Sequence, residues 1–205
     1  MSLQEVKEDR IDLIKEKSIE LMSERLADNI EKIMERIMEN EDKEIDFFMA
    51  LVAQLYTKVL EAQKNGEFGR LQEIYITYLQ AGIQEDKLEI QFRALDEKGY
   101  SGSCVDVIWE PAFVYPYYQD DIKYLIGALR NEIYRLTSRE EQMVKLMYSS
   151  DYYKIVFIYI IRYISSFQYH KKILEIDMIE EVSILFGKIW EQGNEIYSIS
   201  SVKNE

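Results

Sequence analysis

The chain has 205 residues, 47% of them hydrophobic and 31% charged, with a formal net charge of −13. That length allows one sizeable core or at most two small domains, and the composition excludes a disordered chain. One cysteine, Cys104, excludes an internal disulfide, and a single histidine excludes zinc sites built from Cys and His.

The N-terminal stretch MSLQEVKEDRIDLIKEK is charged almost from its start and lacks the apolar core of a signal peptide. From Ile19, the positions Met22, Leu26, Ile30, Ile33 and Ile37 recur at steps of three and four, which predicts an amphipathic helix. Lys15 breaks that phase, so the helix is expected to end or rotate its buried face near residues 16–18. Asn40 or Asp42 then caps a second helix burying Phe47, Phe48, Leu51, Val52, Leu55, Tyr56, Val59 and Leu60. Its stop signal is Asn65-Gly66. Phe68, Leu71, Ile74, Tyr75, Tyr78 and Leu79 read as a third helix, with a break near Gly82 that spares Asp86 an unpaired burial. Leu88, Phe92 and Leu95 form a fresh stripe, ended by Gly99.

The next stretch, GYSGSCVDVIWEPAFVYPYYQDD, holds both prolines, the cysteine and one of the two tryptophans. Residues 104–109 are partly β-branched and read as extended, and Pro111 and Pro116 argue against a regular helix. An irregular, aromatic-rich connection over about residues 99–120 is expected. Its aromatics, Tyr100, Trp109, Phe113, Tyr115, Tyr117 and Tyr118, either cover the end of a bundle or form the ligand or partner surface.

Asp120 or Asp121 is expected to cap a helix carrying Ile122, Leu125, Leu129, Ile133 and Leu136. Ser138 to Glu141 has the form of a capping box opening the next one. Ser149-Ser150-Asp151 would start a core helix, YYKIVFIYIIRYISSF. That run falls short of the roughly 20 residues a membrane span needs and contains Lys154 and Arg162. A second box, Asp177 to Glu180, opens a last helix through Ile184, Leu185, Ile189 and Trp190 to Gly193. The tail SISSVKNE is expected to fray.

These readings combine into an all-α fold: a compact bundle of seven or eight helices, with no sheet beyond a two-stranded pairing near residues 105–109. It divides into an acidic half (1–98), the connection (99–120) and a second helical half (121–205), together one globular domain. Residues 122–172 hold 9 basic and 4 acidic side chains, so a basic block sits inside an acidic protein. The nine cations are scattered, which argues for carboxylate partners in the same chain and against nucleic acid.

Catalytic signals are absent from the sequence. There is no P-loop, dinucleotide fingerprint, nucleophile elbow or Glu-x-x-His pair, and His170 beside Lys171 and Lys172 suits a helix end. No catalytic residue, metal ligand or cofactor is assigned. The expectation is a non-catalytic protein–protein interaction or regulatory module in a reducing cytoplasm, off the membrane. Its partner would be a second copy meeting the Ile19–Ile37 seam, or another protein. The alternative is a small-molecule sensor with a Tyr/Trp-lined pocket near residues 100–118, to which Tyr152, Tyr153, Tyr159, Tyr163 and Tyr169 could add hydroxyls.

Overall fold

A computed structural model describes residues 3–187 and 193–200, with side chains from residue 8 onward. Among them, in chain order, are α1 (Leu3–Glu39), α2 (Glu41–Lys64), β1 (Leu71–Tyr78), α3 (Gln80–Ile83), β2 (Ile90–Asp96), β3 (Cys104–Trp109), α4 (Tyr115–Glu132), α5 (Ser138–Tyr163), α6 (Ser166–Tyr169), β4 (Met178–Phe186) and β5 (Asn194–Ser200). The strands form one five-stranded sheet in the order β3-β2-β1-β4-β5. Neighbours are antiparallel except β1 and β4, which are parallel. The protein is therefore α/β, and the expected all-α bundle is wrong.

Each misread segment has a physical reason. The third helix is β1, a central strand whose residues 74–77 are all buried, so the alternation that marks a one-faced strand is erased. Of the stripe at Leu88, Phe92 and Leu95, the last two fall in β2 and Leu88 precedes it; the true face of β2 is Ile90, Phe92 and Ala94, opposite Trp109, Val107 and Val105 of β3. The supposed box at Asp177 leads into β4, where Val182 and Ile184 are buried at strand spacing. Ile189 and Trp190 lie outside the described residues. Ser198–Ser200, expected to fray, belong to β5, and residues 201–205 are outside the described part.

The stretch 99–120 is not an irregular connection. It holds a 3-10 turn at Gly99–Ser101, then β3, then the start of α4. Pro116 sits in the first turn of α4, where its missing N–H breaks no helical bond. Asp120 and Asp121 consequently lie inside a helix rather than capping one, and Ile133 and Leu136 fall beyond its end. Likewise α5 runs unbroken through Ser149–Asp151. The capping box exists one residue earlier than read: Glu140 N–H donates to Thr137 Oγ1 (3.3 Å), and Thr137 N–H donates to Glu140 Oε2 (2.8 Å).

The N-terminal helices follow the sequence more closely. α1 is continuous past residues 16–18, and its buried face runs through Ile14, Ser18, Met22, Asn29, Ile33 and Ile37, turning Ile19 outward. α2 ends where expected. Gly66 has φ +71, Gly66 N–H donates to Gln63 O (3.0 Å), and Glu67 N–H donates to Ala62 O (2.9 Å), a Schellman motif.

The chain divides into two compact units that alternate along the sequence. The helical unit contains α1, residues 80–88 with α3, and residues 111–156 with α4 and most of α5. The sheet unit contains residues 40–79, 89–110 and those from 157 onward, hence α2, all five strands, the last turns of α5, and α6. In the sheet unit the ring of Phe48 packs against Phe92, Tyr159 and Phe167 at centroid distances of 6.3, 5.9 and 6.0 Å. Tyr56 closes that layer, its hydroxyl donating to Phe167 O at 2.7 Å.

A groove on the helical unit as candidate functional site

The helical unit is organised around Asp121, a fully buried carboxylate on α4. Arg25 Nε of α1 donates to its Oδ1. Asn29 Nδ2 of α1 (3.0 Å), Tyr148 Oη (2.6 Å) and Tyr152 Oη of α5 (2.7 Å) all donate to its Oδ2. An ionised carboxylate buried without partners would cost several kcal/mol or more, and four donors supply what water would. Burial, and then the bond to Asp121, push the phenols of Tyr148 and Tyr152 well above the usual tyrosine range. Both hydroxyls stay protonated and donate. The three helices are tied at one point.

A second tie lies near the start of α5. Arg10 Nε donates to Glu140 Oε1 (2.6 Å), and Arg10 Nη2 donates to the carbonyls of Tyr134 (3.1 Å) and Arg135 (3.2 Å). Arg135 holds φ +52, the left-handed region, in the α4–α5 turn. The Arg10 bond, with the Thr137 donors, outweighs burial and holds the Glu140 carboxyl down at about 2.

Between these ties α1 and α5 run side by side and leave a groove. One depression of about 730 Å³ is lined by Ile11, Arg139, Gln142, Met143 and Leu146. The next, about 510 Å³, is lined by Ile19, Met22, Leu26, Met147 and Tyr148 among others. Ile19 is 64% exposed and Leu146 38%. Tyr148 thus serves both parts, its ring in the groove wall and its hydroxyl on Asp121. The groove can receive an apolar strip about four helical turns long, because residues 11–26 of α1 rise about 22 Å.

On another face of the same unit, a cleft of about 520 Å³ is lined by Lys123, Arg130 and Lys145 together with Asp86, Asp120 and Glu141. Lys145 meets Asp86 at 2.5 Å, and Arg130 forks onto Glu141 at 2.6 and 3.0 Å. Asp86 has φ +57, in the turn that follows α3. Of the cations of the basic block, Lys145 and, in the sheet unit, Arg162 meet carboxylates from the first half of the chain. Arg130 and Lys154 pair within the block.

The six aromatic residues singled out in the sequence do not share one wall. Tyr100 and Trp109 belong to the sheet unit, and Phe113, Tyr115, Tyr117 and Tyr118 to the helical unit. Tyr100 is 60% exposed, with its ring 6.5 Å from that of Tyr75. Trp109 is buried against Phe47, Phe92 and Tyr159. Phe113 and Tyr118 are buried, and Tyr118 packs edge-on against Tyr152 at 5.6 Å. Tyr115 and Tyr117 are half-buried. None of the six lines the three depressions described above. His170 is buried, its Nδ1 accepting from Lys172 N–H (3.2 Å) at the head of a 3-10 turn.

Sequence reasoning missed Asp121, placing it at a helix start. The available signal was Asn29 and Arg25 on the helix predicted from Ile19, polar groups beside an apolar stripe that need a partner. Among the described residues no helix is long and apolar enough to cross a membrane. No family model, curated protein or solved structure matches this chain, so the functional reading rests on the site itself.

Proposed function

We propose that the protein is a non-catalytic protein-interaction module, working in a reducing compartment, whose contact surface is the α1–α5 groove. The observation that carries this is the exposure of Ile19 and Leu146 on the two sides of adjoining apolar depressions. Apolar side chains at helical spacing along a groove about four turns long, with Ile19 and Leu146 open to solvent, are what an amphipathic helix covers when it docks. The Asp121 knot beneath supports the same reading, since a rigid groove loses little entropy on binding.

The test is a selection from a library of amphipathic helical peptides against the full chain. Binders should lose at least ten-fold in affinity when Ile19→Glu or Leu146→Glu is introduced, while circular dichroism and the melting temperature stay within a few degrees. Binders indifferent to both substitutions, or no binders at all, would overturn the assignment of the groove.

A further inference from the structure

The occupant of the groove is specified by the charges along its two lips, an inference that rests on the reading of the groove as a docking surface. α1 and α5 run in the same direction, since Arg10 meets Glu140 near one end and Asn29 Nδ2 reaches Tyr152 Oη (3.3 Å) near the other. On α1 the face of Ile19 continues backward through Glu16 and Asp12, with Lys15 held on Asp12 at 3.0 Å. On α5 the face of Leu146 carries Arg139 at one end and Lys154 toward the other, with Asp151 held on Lys154 at 2.7 Å. Apart from the Arg10–Glu140 pair, which joins the two helices and cancels, one lip is net acidic and the other net basic.

We infer that the groove is occupied by a second copy of this chain, related by a two-fold axis running along the groove. That operation lays α1 of each copy on α5 of the other, parallel, and leaves heights along the helices unchanged. Ile19 of one copy then falls within a turn of Leu146 of the other, and Asp12 within a turn of Arg139. Both contacts occur twice, as an isologous interface requires. A two-fold axis across the helices would instead set acidic lip on acidic lip, so charge selects the parallel arrangement. The product is a four-helix layer with an apolar seam and opposite charges at its edges. The footprint, about four turns long and two helices wide, is at the low end for stable interfaces, so dissociation is expected in the micromolar range.

Sedimentation equilibrium of the full chain tests this. The apparent mass should climb from 24.5 kDa toward twice that value over the micromolar range. Arg139→Glu and Asp12→Lys each place like charges face to face in both symmetry-related copies of that contact. Each alone should weaken association about ten-fold. An equimolar mixture of the two variants should restore it, because every mixed pair is then attractive. Both positions are exposed, and a melting curve for each variant verifies folding. A wild-type chain that stays monomeric at 100-fold higher concentration overturns the second copy, as does a dimer untouched by either substitution. If such a monomer still binds groove-directed helical peptides, the docking surface stands and only its occupant changes.

Discussion

The two units are centred on opposite chemistry. The helical unit closes on a carboxylate held by an arginine, an asparagine and two tyrosines, whereas the sheet unit closes on stacked and edge-on rings around Phe48, Phe92 and Phe167. The difference follows from what already fixes each set of elements. A sheet's register is set by its hydrogen-bond ladder and by the pleat, so the layer above needs only volume. Helices present similar ridges at every turn and can slide by one turn at small cost. A buried polar knot with one geometry removes that freedom.

Breaking each centre should expose the contrast. Phe48→Ala in the sheet unit is expected to cost about 3–5 kcal/mol, measured by denaturant unfolding. Asp121→Leu should cost a comparable amount, roughly 3–5 kcal/mol, because four donors lose their acceptor. The two should differ in rescue. Adding Tyr148→Phe and Tyr152→Phe to Asp121→Leu removes two stranded hydroxyls and should recover part of the loss. No such recovery in the triple variant would mean the knot contributes volume rather than hydrogen bonds.

A smaller effect separates adjacent residues of α5. Ile160 is 0% exposed and Ile161 39%, so alanine at 160 should cost about 2–5 kcal/mol and at 161 under about 1 kcal/mol. Equal losses would place the helix face wrongly.

Acid should weaken the two units in separate windows. His170 is held below its ordinary 6.5 by burial and by Lys172 and Lys171. The unfolded chain therefore takes up the proton first, and stability is lost as pH falls below about 6.5. Glu140 is held at about 2, so its contribution is complete above 4.5 and lost between there and 2. Amide exchange should show the sheet unit responding first. His170→Gln and Glu140→Gln should each flatten one limb of the profile.

The smallest change is a gain. A Cβ at Gly127, inside α4, would meet nothing within 4 Å, so Gly127→Ala should stabilise by about 0.5–1 kcal/mol. Gly127 also borders the cleft of Lys123, Arg130 and Lys145, and a loss would show that the cleft needs the open space.

The legible parts of the sequence were those where local chemistry and burial agree. Asn65-Gly66 marked the end of α2, Cys104 to Trp109 read as extended, and the stripe from Ile19 marked a helix. β1 was not legible by period, because a strand buried on both faces shows none, although the unbroken run Ile74-Tyr75-Ile76-Thr77-Tyr78 was a β signal by residue type. β2 was misassigned because Leu88, Phe92 and Leu95 satisfy helical spacing by accident, while Ile90, Phe92 and Ala94 carry the true alternation. The groove was half visible. Its α1 wall, with Ile19, Met22 and Leu26, lay on the predicted stripe. The α5 wall is not marked in the sequence: Met143, Leu146 and Met147 lie on the helix opened by the box at Ser138 to Glu141, ahead of the expected start of the core helix at Ser149-Ser150-Asp151.

The parallel pairing of β1 with β4 has a consequence for synthesis. Ile74 lies opposite Ile184, and two of the three segments of the helical unit lie between them in the chain. As the polypeptide leaves the ribosome, β1, β2 and β3 can close as a meander, but the other side of β1 waits for a strand not yet made. During that interval the centre of the finished sheet is an open, apolar edge, the kind of surface on which nascent chains pair with one another. A chain ending before Met178 should therefore sediment as aggregate at concentrations where the full chain remains dispersed. β4 and β5, translated later than β1, would act as the cover that ends this exposure.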